Sequence, residues 1–238
     1  MPDFPSLGDA LAWLDGHQNM ERMQASVAAG RAVPPDLSRM HALMDLLGHP
    51  EHAAPVIHVT GTNGKTSTAR CLTSLLTAKG LRVGTFTSPH LSDINERIAT
   101  DGQPIGDDEL RSLLGSLADF EDLLGARLTW FELMTAAAFM HFADRPVDVT
   151  VLEVGMGGRW DATNVASASV AVVTNVGLDH VEFLGPTRAD IAAEKAGIIE
   201  RQSALILGET SDELRPIFEA EQPATLWVAG KEFDCVRN

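Results

Sequence analysis

The run Val59-Thr60-Gly61-Thr62-Asn63-Gly64-Lys65-Thr66-Ser67 is the part of the sequence whose residue types and spacing are best suited to chemistry. It follows a short β-rich run at 55–60 and opens a helical pattern at 66–79, the context that a phosphate loop requires. Glycines let backbone N–H groups come close to phosphate oxygens. The start of the following helix adds its partial positive charge. Lys65 is placed to neutralise β- and γ-phosphates, and Thr66 holds the position of a magnesium-binding hydroxyl. Gly61, Thr62, Asn63, Gly64, Lys65, Thr66 and Ser67 are therefore the candidate nucleotide contacts. The usual GxxxxGK[ST] pattern would place its first glycine at residue 59, where this chain has Val59. The bland reading, a tight strand-to-helix turn, is disfavoured by the Gly-Lys-Thr core in this context.

Three more residues could do chemistry. Glu153 ends an apolar run at 147–154 that reads as a buried central strand. A carboxylate at the C-terminal edge of such a strand sits where ligands bind in open α/β sheets. The plain alternative is a surface charge at a strand end. His180 follows a strand and a turn, and a lone histidine is more often structural than a ligand. Lys195 shares a helical face with Ile191, Ala192, Ile198 and Ile199. An apolar surround disfavours the charged amine. Helical spacing alone leaves two readings even: a lysine that reaches water with its head, and a neutral amine that takes up carbon dioxide as a carbamate.

The elements that must position these residues alternate between strand and helix. Asp36 is placed to cap a helix with the stripe Met40, Leu43, Met44 and Leu47, stopped by Gly48 and Pro50. The pattern at 66–79 puts Ala69, Leu72, Leu75 and Leu76 on one face, with Gly80 past its end. Strands are expected at 55–60, 81–86, 147–154, 169–174, 204–207 and 225–228. Helices are expected at 107–124, 129–143 and 187–199, with another between the last two strands. Such alternation predicts an α/β fold, a mostly parallel sheet flanked by helices of the phosphate-loop NTPase type. The expected division is a helical segment at 1–54 and an ATP-binding domain at 55–238.

Composition narrows the class. The 238 residues are 45% hydrophobic and carry a formal net charge of −15. An acidic chain is poorly suited to tracking a nucleic-acid backbone. It still accepts an anionic nucleotide, because one loop and a metal reverse the local field. Cys71 and Cys235 form no CxxC pair and no disulfide framework. No basic, apolar leader opens the sequence, and no run of about 18 apolar residues spans a membrane. The expected compartment is the cytoplasm.

The variant Gly61-Thr62-Asn63-Gly64-Lys65-Thr66 resembles the phosphate loop of the Mur ligase superfamily, which joins a carboxylate to an amine at the expense of ATP. Three further segments resemble the folylpolyglutamate synthase/dihydrofolate synthase family within it. They are Thr87-Ser88-Pro89-His90-Leu91 with Glu96-Arg97-Ile98, then Glu153-Val154-Gly155-Met156-Gly157-Gly158-Arg159 with Asp161-Ala162-Thr163-Asn164, then Thr174-Asn175-Val176-Gly177-Leu178-Asp179-His180 with Leu184-Gly185. The likeness runs over about residues 37–199. Thr66 and Trp160 depart from residues common in the family, and neither change removes a candidate ligand.

The resemblance implies an enzyme that phosphorylates the carboxylate of dihydropteroate, or of a folate glutamate tail, and lets L-glutamate attack the acyl phosphate. It implies catalytic roles for Lys65, Glu153, His180 and Lys195, and a nucleotide contact at Asn175. It implies Mg2+ held by Thr66, Ser88, Glu153, His180 and Lys195, with Lys195 carbamylated. Magnesium prefers oxygen ligands, which sets the nitrogen of His180 apart. Trp130, Glu132, His90 and Arg159 are lesser candidates for substrate contact. The family's C-terminal domain is expected to be missing in cis, leaving weak ATP binding and little or no ligation. Rival readings are another Mur-type amide ligase, a noncatalytic nucleotide-binding module, and a small-molecule phosphate-loop kinase.

Overall fold

The computed structural model describes residues 4–19 and 36–234; Cys235 lies outside them. Its centre is an eight-stranded sheet of β1 (Val56–Thr60), β2 (Val83–Phe86), β3 (Ile98–Thr100), β4 (Gln103–Pro104), β5 (Val149–Glu153), β6 (Ala168–Val173), β7 (Ala204–Leu207) and β8 (Thr225–Val228). The order across the sheet is β4-β3-β2-β5-β1-β6-β7-β8. From β2 to β8 all neighbours are parallel, while β3 and β4 fold back antiparallel at one edge. The expected mostly parallel α/β fold is what forms.

Every residue of β5 is buried, because helices cover both faces of its sheet. Val151 packs with α3 (Lys65–Ala78), in a cluster with Val59, Ala69, Val83 and Val149. Leu152 points the other way, into a core with Phe86 and with α4 (Asp107–Leu124) and α5 (Trp130–Asp144). Two earlier helices, α1 (Leu7–Asp15) and α2 (Ser38–Leu47), give Leu14, Met40 and Leu43 to that same core. A third cluster joins β6 and β7 to α7 (Arg188–Ala196) and α8 (Arg215–Glu219), through Val173, Leu205, Ile191 and Phe218. A four-residue helix, α6 (Val181–Leu184), precedes α7.

Two local expectations change. Leu75 is 65% exposed, and the inward stripe of α3 is Ala69, Leu72, Thr73 and Leu76. Thr73 replaces it because its hydroxyl has partners inside, Ala69 O at 2.9 Å and Thr85 Oγ1 at 2.6 Å. Asp36 stands one residue before the N-cap of α2, which is Leu37. Its carboxylate still accepts the Ser38 N–H at 2.9 Å. Among the described residues no helix is long and apolar enough to cross a membrane.

Candidate functional site

Three segments leave the C-terminal ends of adjacent central strands and meet there. β1 runs into the loop 61–64, β5 ends at Glu153, and β6 runs into residues 174–177. Such an edge is the usual ligand crevice of an open parallel sheet.

The loop needs its glycines. Gly64 caps α3 with φ +82°, a left-handed conformation that favours glycine. Gly61 sits at φ +149°, and a Cβ there would lie 1.8 Å from Thr174 Oγ1. The segment after β6 holds the loop's shape. Thr62 N–H donates to Asn175 O at 3.0 Å, and Asn63 N–H donates to Asn175 Oδ1 at 3.0 Å. Asn175 Nδ2 returns a bond to Asn63 O at 2.9 Å, and Gly177 N–H donates to Thr62 Oγ1 at 2.9 Å. With glycine as N-cap, the first N–H groups of α3, at Lys65, Thr66 and Ser67, receive no side-chain cap and face an anion-favouring field. Lys65 Nζ folds over the loop, donating to Gly61 O at 3.0 Å and to Thr62 O at 3.4 Å.

Glu153 shares the face of Val151, two residues before it, and so points to the α3 side. Its Oε1 accepts the Thr66 hydroxyl at 2.8 Å, and its Oε2 accepts the Ser88 N–H at 3.1 Å. It is 1% exposed. Burial pushes its carboxyl above the usual range, against the pull of the Thr66 and Ser88 bonds and of Lys65. Thr66, Ser88 and Glu153 are therefore one hydrogen-bonded unit. Its hydroxyl and carboxylate oxygens are the hard donors that suit a magnesium ion.

Lys195 enters from α7, on the buried stripe Ile191, Ala192, Lys195 and Ala196. Burial pushes its ammonium down to about 8; nearby Lys65 pushes the same way, and Asp179 and Asp161 oppose. The glycine-rich turn after β5 is what lets this helix come close. A Cβ on Gly158 would lie 2.6 Å from Glu194 O and 3.1 Å from the Lys195 Cα. We expect Gly158→Ala to cost about 1–3 kcal/mol by overpacking, read as a fall of several degrees in thermal midpoint; an unchanged midpoint would show that α7 moves away freely.

Asp161 shapes the same turn. It is buried, and it accepts the Met156 N–H at 3.0 Å, the Thr163 N–H at 3.0 Å and the Thr163 hydroxyl at 2.5 Å. Thr163 Oγ1 in turn meets His58 Nε2 at 2.8 Å. Burial takes the His58 ring down to about 3, so it is neutral. Thr60 Oγ1 donates to Gly157 O at 2.8 Å and ties β1 to the turn. Asp161 and Thr60 lie within the motif segments, but their part in building the site does not follow from spacing. Asp161 had one available signal, an acidic residue two before a threonine in an Asx-type turn.

His180 enters from the turn before α6. It takes φ +49° as N-cap of α6, with its Nε2 3.6 Å from Asp179 Oδ2. The lesser candidates have structural partners. Trp130 is buried under the Arg97 guanidinium, 4.6 Å from its ring centre, and its Nε1 donates to Asp15 at 3.2 Å. Glu132 takes the Thr129 N–H at 2.6 Å and Arg39 at 3.0 Å. His90 meets Arg97 Nε at 2.9 Å, and Arg159 meets Glu221 at 2.5 Å.

A model of the Mur ligase middle domain matches residues 59–231. A dihydrofolate synthase/folylpolyglutamate synthase of Mycobacterium tuberculosis is 49% identical over 180 residues, covering 71% of this chain and 37% of that protein. The solved Mycobacterium tuberculosis folylpolyglutamate synthase complexed with ADP superposes with a TM-score of 0.84 at 40% identity, over 99% of this chain and 52% of that one. A bifunctional folylpolyglutamate synthase/dihydrofolate synthase of Yersinia pestis, complexed with AMPPNP and a Mn ion, gives a TM-score of 0.81 at 32% identity, over 98% of this chain and 54% of that one. The chain thus spans about half or less of the length of these relatives.

Proposed function

The chain belongs to the Mur ligase family, through the middle domain, and on that premise we propose that it is the nucleotide-handling part of an ATP-dependent ligase. The reaction adds L-glutamate to dihydropteroate or to the glutamate tail of a folate. The relatives' names and nucleotide complexes support the substrate class. The observation that carries the reading is the Thr66–Glu153–Ser88 unit at the uncapped start of α3. In this reading residues 55–238 are the ATP-binding domain, and α1 and α2 of the N-terminal segment pack on its core.

ATP lies on the loop 61–67 with Asn175 beside it. Backbone N–H groups and the helix start hold phosphate oxygens. Lys65 leaves the carbonyls of Gly61 and Thr62 and donates to the transferring phosphoryl group, offsetting its charge. The residues that would hold Mg2+ are Thr66, Ser88 and Glu153, joined by His180 and by Lys195 as its carbamate. Held there, the ion would supply positive charge to offset that of the phosphates. Buried Glu153 gives that charge a dry setting, where it acts more strongly than in water. Neutral Lys195 attacks carbon dioxide through its amine nitrogen, loses a proton, and presents an anionic oxygen in place of a cation. The cytoplasm is the fitting compartment.

Calorimetric titration with Mg-ATP tests this reading. We expect saturable one-site binding that is lost when Mg2+ is chelated. Absence of binding in both states would overturn it. A parallel titration with dihydropteroate, a folate and a nucleotide-linked peptidoglycan precursor separates the folate reading from another Mur-type ligase.

A further inference from the structure

We propose that His49, Glu51 and His52 form a site for a divalent transition metal, zinc by preference, outside the nucleotide crevice. All three lie in the turn between α2 and β1. His49 follows Gly48, the C-cap of α2, and residues Pro50–His52 form a 3-10 turn. The phosphate loop leaves the other end of β1, which at about 3.3 Å per residue puts it roughly 16 Å away.

The geometry that makes the His49–Glu51 hydrogen bond also has room for a metal. His49 Nδ1 is 3.0 Å from Glu51 Oε1, and His52 Nε2 is 3.6 Å from the same oxygen. One ligand atom from each residue lies within 4.8 Å of the others. A tetrahedral zinc with ligands at about 2.1 Å sets neighbouring ligand atoms roughly 3.4 Å apart, and the two observed separations straddle that value. The imidazoles stack at 5.4 Å and 18°, so both present an edge to the same carboxylate.

Glu51 is the independent observation. It is 6% exposed, and its second oxygen, Oε2, is buried without a hydrogen-bond partner. A buried carboxylate satisfied on one oxygen alone is costly. A dication held on Oε1 offsets the charge of this buried carboxylate. Asp45 stands where it could close in as the outer carboxylate partner that metal-bound histidines commonly have. Its Oδ1 is 3.6 Å from His49 Nε2, the nitrogen turned away from Glu51.

Two imidazoles and one carboxylate select zinc, or cobalt and nickel, over magnesium. The side chains of His49 and His52 are 51% and 60% exposed, so water completes the coordination. A metal there clips the end of α2 to the entry of β1. It acts on stability and leaves phosphate chemistry alone.

The test uses the untagged, metal-stripped full chain with Mg2+ in excess, titrated with Zn2+ and separately with Co2+. We expect one equivalent bound, a raised thermal midpoint with Zn2+, and visible absorption with Co2+. The double variant His49→Ala/His52→Ala removes two exposed side chains and should lose binding by more than about 100-fold. Asp45→Asn, also at an exposed position, should weaken it about 10–100-fold and keeps the question answerable if the double variant folds poorly. Undiminished Zn2+ affinity in both variants, or no saturable binding of either metal to the unaltered chain, overturns the proposal.

Discussion

Lys65→Ala is expected to weaken Mg-ATP binding by about 10–100-fold, while leaving the thermal midpoint nearly unchanged. The asymmetry follows from where the side chain sits. Among the described residues Lys65 Nζ bonds to carbonyl oxygens of its own loop, Gly61 O and Thr62 O, and the residue is half-buried. Neutral acceptors that also reach water lose little when the ammonium goes. A phosphate oxygen is different: hydrogen bonds to charged groups contribute about 1.5–3 kcal/mol, which is about 10–100-fold in affinity. Lys65→Arg should not restore binding, because a flat guanidinium is larger than a compact ammonium and directs its donors in a fixed fork. The substitution has a second readout. Lys65 pushes the Lys195 ammonium down, so its removal should raise the pH at which Lys195 becomes reactive. Calorimetry on the two variants checks the first effect. Unchanged affinity in Lys65→Ala would remove Lys65 from phosphate binding.

What could be read before folding is what short-range chemistry decides. Helix α4 begins and ends where expected, Asp107 to Leu124, because its acidic first turn and the Gly125 C-cap are local signals. Strands β7 and β8 also match at both ends. The antiparallel β3 and β4 escaped notice; at three and two residues they show no alternation to recognise. Helix α6 escaped for the same reason, at four residues. In the site, the motif residues of the loop and Glu153 were legible because each segment's glycines, charge and flanking strand are contiguous. Their supports were not. The pairing of Thr60 with Gly157, the neutral His58 against Thr163, and the contact of Gly158 with the Lys195 helix all join segments distant in sequence. The exposure of Leu75 has that origin too: α3 is rotated so that Thr73 meets Thr85, a partner no helical period encodes.

Lys195→Met should make the protein more stable at pH 7 and worse at binding Mg-ATP in the presence of bicarbonate. Met is an unbranched apolar side chain of similar length and suits the stripe with Ile191, Ala192 and Ala196. The native lysine carries a penalty in that place. Its ammonium titrates at about 8 in the fold, against 10.5 ordinarily, mainly through burial. At 1.36 kcal/mol per pH unit this amounts to about 3 kcal/mol against the charged form. The sign runs as linkage requires: from about pH 8 to 10.5 the unfolded chain holds a proton the folded chain has lost, so native stability rises with pH there. Below about pH 8 both states are protonated and the full penalty stands. In buffer free of carbon dioxide, Lys195→Met should therefore be about 2–3 kcal/mol more stable at pH 7, and that gain should shrink toward zero by about pH 10.5. The same depression leaves about a quarter of the lysine neutral at pH 7.5, where an ordinary lysine has about one part in a thousand. That neutral amine is the form that takes up carbon dioxide. Native mass spectrometry should then show a bicarbonate-dependent gain of one CO2 in the unaltered chain and none in the variant. Denaturation across pH measures the stability half. A variant that is less stable at pH 7, with no narrowing of the difference at high pH, would mean the ammonium reaches water and carries its charge without cost.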